Sequence, residues 1–186
     1  MSHVAVLVPS AETAAAVCKA RKWELGPVED FPSEGTREVY VGPRASDALL
    51  LLMEAIGRGP YRNALEKRGP GLHHVAVNVA SLDDYVASLA GSGWLVHPAS
   101  LGTLAQRKTV YLARPGLGAL IEVQQPRELS RGRRRFVSEV FIEGERGQQR
   151  LLDALRVRGL RLAGKERAGL VIGRKRIALA ELLRSP

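Results

Sequence analysis

His3-Val4-Ala5-Val6-Leu7-Val8 returns as His74-Val75-Ala76-Val77-Asn78-Val79, and the offset of 71 residues then holds without a gap. Trp23 meets Trp94, Pro27 meets Pro98, Val39-Tyr40 meets Val110-Tyr111, and Ala48-Leu49 meets Ala119-Leu120. A fixed period of this length marks a duplicated unit of several secondary-structure elements. Two such units related by a pseudo-twofold axis place equivalent positions opposite each other across a shared sheet.

Each copy has the same local pattern. In the first, about residues 1–57, His3–Val8 predicts a short buried strand, and Ser10 is the N-cap of an alanine-rich helix from Ala14 to Trp23 that Gly26-Pro27 ends. Glu38–Val41 and Ala48–Met53 read as strands around the turn Gly42-Pro43-Arg44, giving strand, helix, then two or three strands. Residues 58–71 bridge the copies, with Pro60 starting a short helix and Gly69-Pro70-Gly71 stopping it. The second copy, about 72–126, repeats the order: strand 74–79, helix from Ser81 to about Ser92, strands near 107–113 and 118–124. The fold class is α+β.

Composition changes after Pro126. Residues 1–126 carry 12 of the 28 basic and 12 of the 19 acidic side chains, so the net charge of +9 belongs to 127–186. Arg131-Gly132-Arg133-Arg134-Arg135 is a basic linker. Beyond it, Phe136–Ile142 predicts a strand, Leu151, Leu152, Leu155 and Leu160 share a helical face, and Gly169–Ile172 and Arg176–Leu183 predict two strands. This β-α-β-β extension has too many apolar segments for a disordered tail. Its charge suits an anionic ligand, an acidic partner or nucleic acid, although Phe136 and Phe141 are its two aromatics and both fall in a predicted strand, which speaks against nucleic acid.

No apolar run approaches the roughly 20 residues a membrane helix requires, and no secretory signal is visible, so no membrane partner and a cytoplasmic location are expected. The single cysteine, Cys18, lies on the apolar side of the first helix and is expected to be buried.

The symmetry pairs His3 with His74 and Leu51 with Glu122. Adjacent histidines such as His73-His74 carry little information alone. A carboxylate inside Ala119-Leu120-Ile121-Glu122-Val123 needs a partner, because burying an unpaired charge costs several kcal/mol or more. Two imidazoles and a carboxylate around one axis suit a borderline divalent ion.

The stretch from about His3 to Gln125 resembles the vicinal oxygen chelate superfamily, and within it the methylmalonyl-CoA epimerases. The resemblance rests on the histidine-led first strand, the bridge Gly57-Arg58-Gly59-Pro60, the run Leu65-Glu66-Lys67-Arg68-Gly69-Pro70-Gly71-Leu72-His73-His74-Val75-Ala76, and the closing Gly118-Ala119-Leu120-Ile121-Glu122-Val123. It implies paired βαβββ modules, glyoxalase-like, curved around a divalent metal (cobalt, manganese, zinc or nickel) held by His3, His74 and Glu122. Leu51 stands at the fourth ligand place, where such families carry Glu or Gln. It further implies an acyl-CoA substrate, methylmalonyl-CoA first, epimerised by 1,1-proton transfer through a metal-stabilised enolate. Glu38 would be one base, within Glu34-Gly35-Thr36-Arg37-Glu38-Val39, and Glu122 the opposing acid/base. Arg107, Lys108 and Arg114 would bind CoA phosphates or the substrate carboxylate, and a homodimer is expected. The alternatives are a glyoxalase-type lyase or dioxygenase, and a non-catalytic binding protein whose metal site has degenerated at Leu51. The basic extension has no counterpart in the simple epimerases.

Overall fold

Alternation along His3–Val8 (β1) separates two environments. Val4, Val6 and Val8 enter the main core, whereas Ala5 and Leu7 join a smaller apolar cluster on the opposite face of the sheet. The computed structural model describes residues 1–101, 109–129, 134–164 and 167–183. After β1 come α1 (Ala11–Ala20), β2 (Leu25–Phe31), β3 (Thr36–Val41), β4 (Leu49–Ala55) and the bridging helix α2 (Pro60–Arg68). The second copy supplies β5 (Gly71–Asn78), α3 (Leu82–Ser88), β6 (Leu95–Val96), α4 (Pro98–Leu101), β7 (Thr109–Ala113) and β8 (Leu120–Gln124). Ser10 and Ser81, 71 residues apart, cap α1 and α3 by accepting the backbone N–H of Thr13 and Asp84, each at 3.2 Å.

The eight strands form one sheet in the order β2-β3-β4-β1-β5-β8-β7-β6. This order reads the same from both ends once the copies are exchanged. β1 runs parallel to β4 and β5 parallel to β8, and β1 and β5 meet antiparallel at the pseudo-twofold axis. The helix α1 ends at Ala20, not Trp23, and Gly26-Pro27 lies inside β2. The missing N–H of Pro27 is tolerated there because β2 is an edge strand, and its register shifts between Leu25 and Val28.

The later residues build a second sheet from β9 (Val137–Ile142), β10 (Leu160–Leu162), β11 (Gly169–Ile172) and β12 (Lys175–Ala178), with α5 (Gln149–Ala154) and α6 (Leu179–Leu183). Its order, β10-β9-β11-β12, differs from that of the repeated units, so this is not a third copy of them. Leu160 opens β10 instead of extending the helix, and residues 179–183 form α6 instead of a strand. The buried pair Leu179 and Leu182 explains the second difference, since a spacing of three is helical. Val140, Ile142, Leu155 and Leu170 share one core with Val4, Val75 and Val123, so the second sheet packs on the face of the first that points away from His3. The chain reaches it alongside Asp47, whose N–H donates to the Arg134 carbonyl at 2.9 Å and whose carbonyl accepts from Phe136 N–H at 2.8 Å. Arg131–Arg133 of the basic linker lie outside the described residues. No described helix is long and apolar enough to cross a membrane.

Candidate active site

The strand parities that send valines into the core send another set of side chains to the opposite, open face. On β3, Val39 and Val41 are core residues, so Thr36, Glu38 and Tyr40 face the other way. On β8, Ile121 and Val123 are core residues, and Glu122 takes the open face. His3 opens β1, and a register irregularity in the β1–β5 pairing inserts His73 beside His74.

His3, His74 and Glu122 converge, all buried. The two Nε2 atoms stand 3.1 Å apart, and Glu122 Oε2 lies 3.2 Å from that of His74 and 3.5 Å from that of His3. Among the described residues this is the group of His, Cys, Asp and Glu side chains close enough to hold a metal ion. The donor set fits one. Nitrogen and oxygen donors about 2.1 Å from a common ion, at tetrahedral to octahedral angles, stand about 3.0–3.4 Å apart. The charge states agree. Burial lowers the proton affinity of His74 and keeps its ring neutral. Burial pushes the Glu122 carboxyl up, but its close contacts with the His3 and His74 imidazoles outweigh it and hold the group well below the usual carboxylate range.

Four further ring side chains, Tyr40, Tyr61, His73 and Tyr111, frame the triad. Tyr40 and Tyr111, symmetry mates, stand edge-on to His3 and His74 at centroid separations of 5.9 and 5.7 Å. Burial, then the charge of Glu122, raises the Tyr111 hydroxyl far above an ordinary phenol, and hydrogen bonds to Tyr61 and Glu122 add to the effect. His73 Nδ1 is 2.8 Å from His74 Nδ1, so one of the two nitrogens donates to the other. With His74 Nε2 turned to the triad, a neutral His74 carries its proton on Nδ1 and His73 accepts it. Burial, then the positive character of His74 and Arg68, lowers His73 to about 3. Sequence reasoning passed over His73, Tyr61 and both mated tyrosines as site groups. The repeat itself carried the signal, since Tyr40 and Tyr111 each lie opposite a ligand-site position, Leu51 and Glu122.

Glu38 is half-buried on the same open face. Thr36 Oγ1 donates to Glu38 Oε1 at 2.9 Å. Burial raises the Glu38 carboxyl, the Thr36 bond opposes this, and the charges of His3 and Glu122 both reach it. Leu51 sits on this face too, across from Ala5 on β1 and buried. Cys18 is fully buried and its thiol is pushed up to about 11, so it is no nucleophile. Arg114 does not join the site. It follows β7 on the parity of the core residues Val110 and Leu112, and its Nη1 donates to the Gly93 carbonyl at 2.9 Å, near Leu151 of α5. Arg107 and Lys108 lie outside the described residues.

No family model matches the chain, and no curated protein matches it. Solved structures do. A hypothetical protein from Bacillus halodurans C-125 superposes with a TM-score of 0.54 at 22% identity, over 71% of this chain and 97% of its own. Methylmalonyl-CoA epimerase from Mycobacterium tuberculosis gives 0.52 at 24% identity, over 68% of this chain and 87% of its own. The chain has the vicinal oxygen chelate fold. A variant methylmalonyl-CoA epimerase from Streptomyces coelicolor, in complex with 2-nitronate-propionyl-CoA, gives 0.52 at 19% identity, over 70% of this chain and 96% of its own. Between 87% and 97% of these three proteins is thus covered, while about three tenths of this chain has no counterpart in them.

Proposed function

We propose that the chain is an acyl-CoA epimerase acting by 1,1-proton transfer, with methylmalonyl-CoA as first candidate substrate. The observation that carries this reading is the pair of carboxylates on one open face around His3 and His74, with proton affinities pushed in opposite directions. Such divergence is how a site separates a proton carrier from a fixed negative charge.

The reaction breaks the C2–H bond beside the thioester. The bonding electrons move onto the carbonyl oxygen as an enolate, and the proton passes to a carboxylate. Glu38 suits that task, because its raised proton affinity makes it a stronger base than an ordinary glutamate. His3, His74 and Glu122 would hold the divalent ion, which supplies the positive field that an enolate oxygen requires. Glu122 is kept ionised by the two imidazoles, which favours its ligand role over that of a proton donor. A second proton reaches the opposite face of C2 from the Glu122 side, where Tyr111 keeps its hydroxyl proton; solvent replaces that proton, and Glu38 releases the first one to solvent.

The test is exchange of the C2 hydrogen of methylmalonyl-CoA in D₂O, with cobalt or a chelator present. Cobalt-dependent exchange that Glu38→Gln abolishes supports the assignment. Exchange in Glu38→Gln at the wild-type rate removes Glu38 from it, and no exchange with any divalent ion sinks the epimerase.

A second reading rests on Leu51. Two histidines and one carboxylate with an apolar fourth place match the ligand set of non-haem iron oxygenases. Oxygen uptake with a catechol and iron(II), in a protein that fails the exchange test, would favour it.

A further inference from the structure

One face of the second sheet is turned away from the first. Val140, Ile142, Leu160, Leu170 and Ile172 point into the shared core, so Glu139, Arg161 and Val171 point outward. Ser138 is the extra residue where the β9–β11 register shifts. These outward residues line a groove of about 780 Å³ together with the turn between α5 and β10. The core of both sheets separates it from His3 and His74, so it is a site of its own and not an arm of the triad.

Four guanidinium groups line the groove, those of Arg135, Arg156, Arg158 and Arg161, and Val157, Leu160 and Val171 give it apolar surface. Its two carboxylates are engaged: Glu139 stands 3.9 Å from Arg161, and Asp153 accepts the Gln149 Nε2 amide at 2.9 Å. Among the described residues, no carboxylate lies within ion-pair distance of the exposed Arg156 or Arg158. The turn that carries them is firmly held. Arg156 takes a φ of +54°, and Gly159 a φ of +91° where a Cβ would collide with the Ser138 carbonyl. Arg135 Nη1 donates to the Arg158 carbonyl at 3.0 Å, and the Gly159 carbonyl accepts the Val140 N–H at 2.7 Å. A strained residue persists only where its surroundings fix it, and these bonds fix two arginines in one groove.

We propose that this groove binds a small ligand carrying two or more phosphate groups, of nucleoside triphosphate size. Planar guanidiniums take phosphate oxygens two at a time, and several on one groove suit an oligophosphate better than a single phosphate. The mutual repulsion of the arginines is relieved when the anion arrives. The apolar strip receives the body of the ligand, and the volume is that of a small-molecule site. The basic extension thereby has a task that does not depend on the triad.

The experiment is calorimetric titration of the full, metal-free chain with ATP, with inorganic phosphate and with a short oligouridylate. ATP is expected to bind at least about tenfold more tightly than inorganic phosphate, and R156Q/R158Q to weaken it by about tenfold or more. Arg158→Gln alone, which leaves the strained position untouched, weakens ATP by at least about threefold. R174Q/K175Q removes the same charge from the β11–β12 turn, outside the groove, and changes ATP affinity by less than about twofold. Unchanged melting temperatures check that each variant has kept its fold. Equal ATP affinity in R156Q/R158Q would overturn the proposal, and an equal loss in both double variants would reduce it to net charge and overturn it too. So would inorganic phosphate binding as tightly as ATP, which marks a simple anion site. Oligouridylate binding more tightly than ATP through the same arginines would assign the groove to single-stranded nucleic acid instead. Exchange at C2 enters none of these outcomes, so the groove and the epimerase stand or fall separately.

Discussion

Leu51 and Glu122 are equivalent residues with opposite chemistry. Each lies on a strand parallel to the one carrying its histidine, opposite a small residue, Ala5 for Leu51 and Ala76 for Glu122. One half of the duplicated sheet thus offers a carboxylate and the other an isobutyl group. Leu51→Glu is expected to supply a fourth donor, a second carboxylate oxygen, and to tighten cobalt binding by at least about tenfold. Without metal the same variant loses roughly 1–3 kcal/mol, because its carboxylate is buried unpaired. Titration calorimetry and a urea melt measure the two effects, and an unchanged cobalt affinity would refute the triad's placement.

His73 orients His74 through the 2.8 Å contact between their Nδ1 atoms. His73→Phe keeps the ring volume and removes the acceptor. Metal affinity is expected to fall about 10- to 100-fold, the range for loss of a partner behind a ligating histidine. A fall smaller than twofold would show that the contact positions nothing.

The pH dependence of stability follows from the same ring. His73 is lowered from 6.5 to about 3, so below pH 6.5 the unfolded chain takes up a proton that the folded chain refuses. The stability it contributes is complete above pH 6.5 and is lost as pH falls towards 3. Glu122 acts with the same sign lower down, its contribution being present above 4.5 and lost on further acidification. Metal-free wild type should therefore lose melting temperature steadily below pH 6.5, and His73→Phe should show a shallower slope between pH 6.5 and 4.5. Parallel slopes would contradict the burial assigned to His73.

Thr36 holds the Glu38 carboxylate with a 2.9 Å hydrogen bond that favours its charged form. Glu38 must be ionised to accept a proton, so activity falls as pH drops through its raised pKa. Thr36→Val removes the bond and should move the acid limb of kcat/KM to still higher pH, by up to about one pH unit. A shift to lower pH would exclude Glu38 as the group that titrates.

Gly42 joins the two sheets. Its φ is +121°, and a Cβ built there would lie 2.6 Å from the Phe136 ring, which itself meets Trp23 edge-on at 5.6 Å. Gly42→Ala is expected to cost about 1–3 kcal/mol through strain and crowding. Part of that cost should disappear in a Phe136→Ala background, as a double-mutant cycle on urea unfolding would reveal. Full additivity would mean that the ring and the turn do not meet.

The repeat made the sheet legible, because a 71-residue ladder constrains topology more tightly than any local propensity. It also made the triad legible, since His3, His74 and Glu122 fall on matched positions. Other features depend on contacts between distant segments. Nothing local marks Gly26-Pro27 as part of an edge strand, and by itself the pair signals a helix stop. Leu160 continues a helical spacing and is claimed by β9 only through strand pairing with Val140. His73 looked redundant next to His74 because the register irregularity that brings it into the site is a property of two paired strands.

Carried through to every side chain, the duplication would have produced a groove reading the same from either end. Leu51 answering Glu122, and Thr109 answering Glu38, remove that equivalence while the backbone keeps it. An incoming molecule meets different groups depending on which end leads, so the groove has a heading. A nearly twofold scaffold thereby distinguishes head from tail, and one of two otherwise interchangeable orientations is selected.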